Sequence, residues 1–152
     1  MKEIVGDIWN YWERGNWIVI PTNGNVDEYG CAIMGKGLAL EAKERFPNLS
    51  YELGRRLSMV GINLEIFFEY RIIAFPVKYD WTKEANLELI SSSADSLSKC
   101  SVANFLREGL IYLPRVGCGK ETGKLDWKIV KPVLEVFLDD RFTVVNLPKE
   151  RK

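Results

Sequence analysis

Histidine is absent from this sequence. Its absence excludes His-based catalytic triads, imidazole acid–base chemistry and zinc sites built on histidine. Cysteine is scarce: Cys31, Cys100 and Cys118 are widely spaced and odd in number. Three scattered thiols form no disulfide framework and cannot alone complete a four-ligand zinc site, and they fit a reducing compartment. Net charge is also missing, because 21 basic and 21 acidic residues cancel. No general field therefore draws the chain to nucleic acid or membrane, and a phosphate-bearing ligand has to be caught locally. No apolar run approaches the length of a membrane span. The opening MKEIVGDIWN lacks the apolar core of a signal peptide, so the expected location is the cytoplasm. No repeat, low-complexity tract or linker interrupts the 152 residues. One domain over residues 1–152 is expected, with enough chain to bury a real core.

What is present alternates in period. Lys2–Val5 reads as a short strand, and Trp17–Thr22 (WIVIPT) as a buried strand closed by Asn23-Gly24. Gly37–Phe46 has helical spacing at Leu38, Ala42 and Phe46, with Pro47 as its stop. Tyr51–Met59 predicts a second helix with Gly61 just beyond it. Leu64–Phe68 and Arg71–Phe75 predict two strands joined as a hairpin. Glu84–Val102 predicts a long helix with an apolar stripe at Leu87, Ile90, Ala94 and Leu97. Leu110–Leu113 predicts a strand. Asp126 predicts the N-cap of a helix through Leu138 that Pro132 must bend or delay. Phe142–Asn146 predicts the last strand. The alternation implies an α/β layer structure around a mixed, largely parallel sheet, with ligands bound beyond the carboxyl ends of the strands.

Two glycine-rich loops fall at such ends. GCAIMGKG, Gly30–Gly37, follows the Trp17–Thr22 strand, and RVGCGKETGKLDW, Arg115–Trp127, follows Leu110–Leu113. Glycine lets backbone approach a ligand closely, and successive amides donate to phosphate oxygens. A helix starting just after the loop adds the positive end of its dipole. The ATPase reading of Gly30, Gly35 and Lys36 fails because Gly37 supplies no hydroxyl for Mg²⁺. The Rossmann fingerprint fails because Leu40 stands where a third glycine belongs. Taken singly, each loop is equally an ordinary turn. As a pair after two strands they suit a diphosphate gripped from both faces without a metal or other cofactor.

Across nearly the whole chain, GDIW (Gly6–Trp9), IPTNG (Ile20–Gly24), MGKGLALEAKERFP (Met34–Pro47), FPVK (Phe75–Lys78) and LPRVGCG with LDW (Leu113–Gly119, Leu125–Trp127) stand in the order seen in macro domains. The sequence resembles that ADP-ribose-binding family. It is most similar to the branch holding terminal ADP-ribose–protein glycohydrolase and the DNA ADP-ribosyl glycohydrolase antitoxins, and similar stand-alone members occur in phage and prokaryotic genomes. The resemblance implies a three-layer α/β/α fold. It implies Asp7 as acceptor for the adenine amino group, with Ile8 contributing backbone contacts, and Asn23 near the distal ribose. It implies Met34, Gly35, Lys36 and Gly37 as the first diphosphate loop, and Val116, Gly117, Cys118 and Gly119 as the second. Lys78 matches a lysine used at the anomeric carbon of the distal ribose. A carboxylate that partners this lysine in the family has no clear counterpart here, and Glu121 is the only one in the lengthened loop Lys120–Lys124.

Each of these residues also has a plainer reading. Against these, Asp7 reads as a solvated turn residue or a helix cap, Asn23 as a turn before Gly24, Cys118 as a small loop residue, and Lys78 as an exposed loop lysine. Asn25–Tyr29 reads as an insertion whose Asp27 and Glu28 form a charged tip. Most aromatics, including Trp9, Tyr11, Trp12 and Trp17, are expected to pack, while Tyr79 or Trp81 is a candidate for the ribose pocket. The resemblance implies a monomer that binds ADP-ribose or an ADP-ribosylated macromolecule. The function expected is hydrolysis at the distal ribose C1″, with nucleic acid present only as modified substrate. Alternatives are an ADP-ribose 1″-phosphate phosphatase and a non-catalytic ADP-ribose reader or sponge.

Overall fold

The computed structural model describes residues 1–105 and 111–147. In chain order the elements are β1 (Lys2–Val5), α1 (Ile8–Glu13), β2 (Trp17–Thr22), α2 (Gly37–Arg45), α3 (Leu49–Val60), β3 (Glu65–Phe67), β4 (Ile72–Pro76), α4 (Leu87–Lys99), α5 (Ser101–Phe105), β5 (Ile111–Leu113), α6 (Trp127–Phe137) and β6 (Phe142–Asn146). The sheet order is β1-β6-β5-β2-β4-β3. Every pairing is parallel except β3 with β4, where Glu65 lies opposite Ala74 and Phe67 opposite Ile72. Four residues join these two strands, and Arg71 enters β4 with φ 55. The α/β class and the mixed, largely parallel sheet are as the alternation of elements predicts.

A parallel sheet covered on both faces needs strands that are apolar throughout rather than alternating, and WIVIPT is such a run. Ile18 and Ile20 of β2 face one layer, with Ala42, Leu49 and Leu53 of α2 and α3 and with Ile8 and Trp9 of α1. Trp17 and Val19 face the other, with Ile90, Ala94 and Leu97 of α4 and Val130 and Leu134 of α6. Two cores thus sit on either side of one sheet, which is the three-layer arrangement.

Several boundaries differ from the sequence expectation. The helix predicted over Glu84–Val102 begins later and is broken. Asn86 caps it, its Oδ1 accepting from the amide of Leu89 at 2.9 Å, and Cys100 leaves helical geometry at φ −69, ψ 159 before α5 begins. Asn104 Nδ2 donates to the Lys99 carbonyl at the break. Helix α1 has no counterpart in the prediction. Pro132 lies inside α6 and does not delay it: Asp126 Oδ1 accepts from the amide of Lys128, and the helix starts at Trp127. Strand β5 begins at Ile111, and the predicted Leu110 lies outside the described residues.

Candidate functional site

Because β1, β6, β5, β2 and β4 run in one direction, their carboxyl ends share one edge of the sheet. Gly6-Asp7, Asn146, Pro114-Arg115, Asn23-Gly24 and Val77-Lys78 all lie along it. β2 and β5 are neighbours, but the chain leaves them in opposite senses. From β2 it passes through α2 and α3 on one face toward β3, and from β5 through α6 on the other face toward β6. Such a switch point opens a crevice between the two connections. Both glycine loops line it.

The first loop ends in α2, whose N-cap is Lys36 in extended backbone. No side chain caps this helix and no acidic residue stands in its first turn, so its leading amides and dipole face outward. Gly35 and Gly37 are exposed, and a Cβ on either would meet nothing within 4 Å. The second loop is closed on itself. Gly117 has φ 76, the amide of Leu125 donates to its carbonyl at 2.9 Å, and a Cβ on Gly123 would collide with that same carbonyl. Glycine is required there by contact, not merely by flexibility.

Lys78 ties this assembly together. The residue is 9% exposed, two positions past the end of β4. Nζ donates to the carbonyls of Lys83 and Thr122 at 3.2 Å each and of Trp81 at 3.4 Å, joining the 80–84 loop to the second glycine loop. The amide of Ala85 adds a bond to the Gly123 carbonyl at 2.9 Å. Burial lowers the Lys78 pKa, the charges of Lys36 and Lys124 lower it further, and Asp80 opposes them. The fold therefore brings Lys36 and Lys124, from two other connections, close enough for their charges to reach Lys78, with Asp80 opposing them. Asp80 is a carboxylate that sequence reading passed over. Thr82 donates to it from backbone and hydroxyl and holds its pKa below the usual range.

The remaining predicted residues divide. Asp7 is exposed at the same edge and caps α1, accepting from the Trp9 amide at 3.0 Å. Ile8, Met34 and Val116 have buried side chains, which leaves only their backbone for a ligand. Asn23 Nδ2 donates to the Ile33 carbonyl, and its Oδ1 accepts from the Asn25 amide. It thereby joins the two sides of the 25–33 loop. Asp27 Oδ1 accepts from the amides of Tyr29 and Cys31 and orders that loop's tip. Cys118 lies half-buried with Sγ against the Val116 carbonyl at 3.5 Å. Glu121 is exposed, and among the described residues no ion pair or hydrogen bond joins it to Lys78. Beneath the second loop, Glu3 anchors α6 by accepting from Trp127 Nε1 at 3.1 Å and pairing with Lys131. Burial pushes the Glu3 carboxyl up, and the bonds from Lys131 and Trp127 outweigh it and hold the pKa low.

No family model matches the chain. It is 27% identical over 136 residues to a DNA ADP-ribosyl glycohydrolase of Thermus aquaticus, a match covering 83% of this chain and 37% of the relative. It is 28% identical over 127 residues to the DNA ADP-ribosyl glycohydrolase of Mycobacterium tuberculosis, covering 77% and 35%. The chain thus spans little more than a third of the length of the curated relatives it matches. Among solved structures, the macrodomain of Mycobacterium tuberculosis DarG aligns with a TM-score of 0.74 at 23% identity, over 97% of both chains. Thermosipho africanus DarTG in complex with ADP-ribose aligns with a TM-score of 0.75 at 20% identity, over all of this chain and 43% of that one. The chain therefore has the macrodomain fold, and in sequence and structure it is similar to DNA ADP-ribosyl glycohydrolases and DarG macrodomains.

Proposed function

We propose that the chain binds ADP-ribose across its two glycine loops and hydrolyses the bond from the distal ribose C1″ to an attached group, a nucleic-acid base or an acidic protein side chain. The observation that carries the reading is the placement of both loops after neighbouring strands at the switch point, the first running into the uncapped start of α2. Amide nests and a helix N-terminus suit a diphosphate without calling on a metal. On this reading Asp7 accepts from the adenine amine and Lys78 acts at the distal ribose. The names of the relatives favour the nucleic-acid acceptor.

Cleavage at C1″ develops oxocarbenium character. The bond to the departing group breaks with its electron pair leaving on that group, water adds to C1″, and one proton passes from the water toward the departing atom. The Lys78 ammonium stabilises the negative charge that appears on the departing group and on the nearby phosphates. Glu121, and now Asp80, are the carboxylates available to take the water proton. Positioning and charge are the two contributions asked of the protein.

The test uses Lys78→Ala. The diphosphate is held mainly by backbone amides, so ADP-ribose affinity by calorimetry stays within several-fold, while release of ADP-ribose from modified oligonucleotide falls by 100-fold or more, on the scale of losing one electrostatic group. Undiminished release removes Lys78 from the mechanism. Running ADP-ribosyl protein and ADP-ribose 1″-phosphate in parallel separates the glycohydrolase from a phosphatase, and binding without release from any of the three identifies a reader.

A further inference from the structure

Two aromatic side chains stand in solvent on the loop that follows Lys78. Tyr79 is 56% exposed and Trp81 50% exposed, although the backbone that carries them is held from several directions. The Trp81 amide donates to Asn25 Oδ1 at 2.7 Å, and its carbonyl accepts from Lys78 Nζ. Asp80, between the two, accepts from the Thr82 amide and hydroxyl at 2.9 and 2.8 Å. On the other side, a Cβ on Gly24 would lie 2.8 Å from the Tyr79 carbonyl, so the strand-end turn packs directly on this loop. Two large rings are thus left half-exposed on an ordered loop next to the buried Lys78.

We infer that Tyr79 and Trp81 form a stacking platform for the bases of a single-stranded nucleic acid, holding the strand beside the modified nucleotide. This rests on the ADP-ribose reading above and adds residues that choose the acceptor. Base faces stack on aromatic rings whatever the sequence, and backbone phosphates need cations close by. Lys78 is buried and bonded to three carbonyls, so the cations open to a strand are the exposed Lys83 on this loop, which also carries Asp80 and Glu84, and the exposed Lys36 and Lys124, whose charges reach Lys78. A duplex keeps its base faces stacked and would gain nothing from the rings. The platform therefore requires an open strand.

The experiment measures anisotropy of an unmodified, labelled single strand of about 12 nucleotides, a length within the footprint of small single-strand binders. It is titrated with the parent, Tyr79→Ala, Trp81→Ala and Trp81→Phe, while ADP-ribose affinity is followed by calorimetry on the same proteins. Each alanine variant is expected to weaken oligonucleotide binding about 10-fold, the loss of one base stack. Trp81→Phe restores most of it, and ADP-ribose affinity is unchanged throughout. Equal oligonucleotide affinity in parent and Trp81→Ala overturns the platform. So does equal affinity for duplex, or a matching loss of turnover on ADP-ribosyl protein. If the parent ignores ADP-ribose yet binds the strand through Trp81, the glycine-loop reading falls and the platform stands.

Discussion

Lys78 is the residue on which burial and charge meet. A lysine that is 9% exposed has lost most of its hydration, and three carbonyls return part of that loss. Burial first, then Lys36 and Lys124, still lower its pKa. The sign for stability follows. Between the lowered folded pKa and the ordinary lysine value, the unfolded chain binds more protons than the folded one, so this group makes the protein more stable as pH rises through that window. Lys78→Met lacks the group. The stability of the parent relative to the variant, measured by urea denaturation, is therefore expected to increase from neutral pH toward pH 10. A difference that stays flat over that range shows an ordinary, solvated lysine.

At the scale of the loops, two glycines separate fold from binding. Gly123 has its space filled by the Gly117 carbonyl, whereas Gly35 has open space on every side. Gly123→Ala must push the second loop apart, so a loss of about 1–3 kcal/mol of stability is expected, with weaker ADP-ribose binding as a consequence. Gly35 does not need left-handed backbone, and Gly35→Ala is expected to leave thermal stability within about 0.5 kcal/mol. Its methyl nevertheless occupies the approach to the first loop, so ADP-ribose affinity is expected to fall 10-fold or more. Melting curves and calorimetry on the two variants check both halves. Undiminished affinity in Gly35→Ala shows that the ligand does not come close to this loop. The helices carry a second lesson at this scale: α4 starts where Asn86 can cap it and ends where Cys100 turns extended, although the serine-rich run between shows no break in its apolar period.

For the whole molecule, the absence of net charge and the shared field of Lys36, Lys78 and Lys124 make binding a local event. A ligand held only by the folded crevice stabilises the fold by mass action, by about 2.7 kcal/mol at one hundred times its dissociation constant. For a domain of this size that corresponds to a rise in melting temperature of about 5–10 °C. The rise is expected with ADP-ribose and is expected to be the same in EDTA as in Mg²⁺, because amides and lysines provide the grip. A shift seen with Mg·ATP and not with ADP-ribose would reverse the ligand assignment.

What the sequence determined by itself was local. The β-branched run of β2, the glycines around Lys36 and Cys118, and the Asp126 cap each act through a few neighbouring residues, and their spacing states the consequence. The short helix α1 was not legible, because its Asp7 cap and six residues carry too little periodicity to stand apart from an aromatic cluster. Tertiary structure alone decided that β2 and β5 lie side by side, that Lys36 and Lys124 share a field with Lys78, and that the Gly24 turn and Asn25 pack on the loop carrying Tyr79 and Trp81. Those relations join residues tens of positions apart, and they depend on which faces of one sheet its helices cover rather than on any interval along the chain.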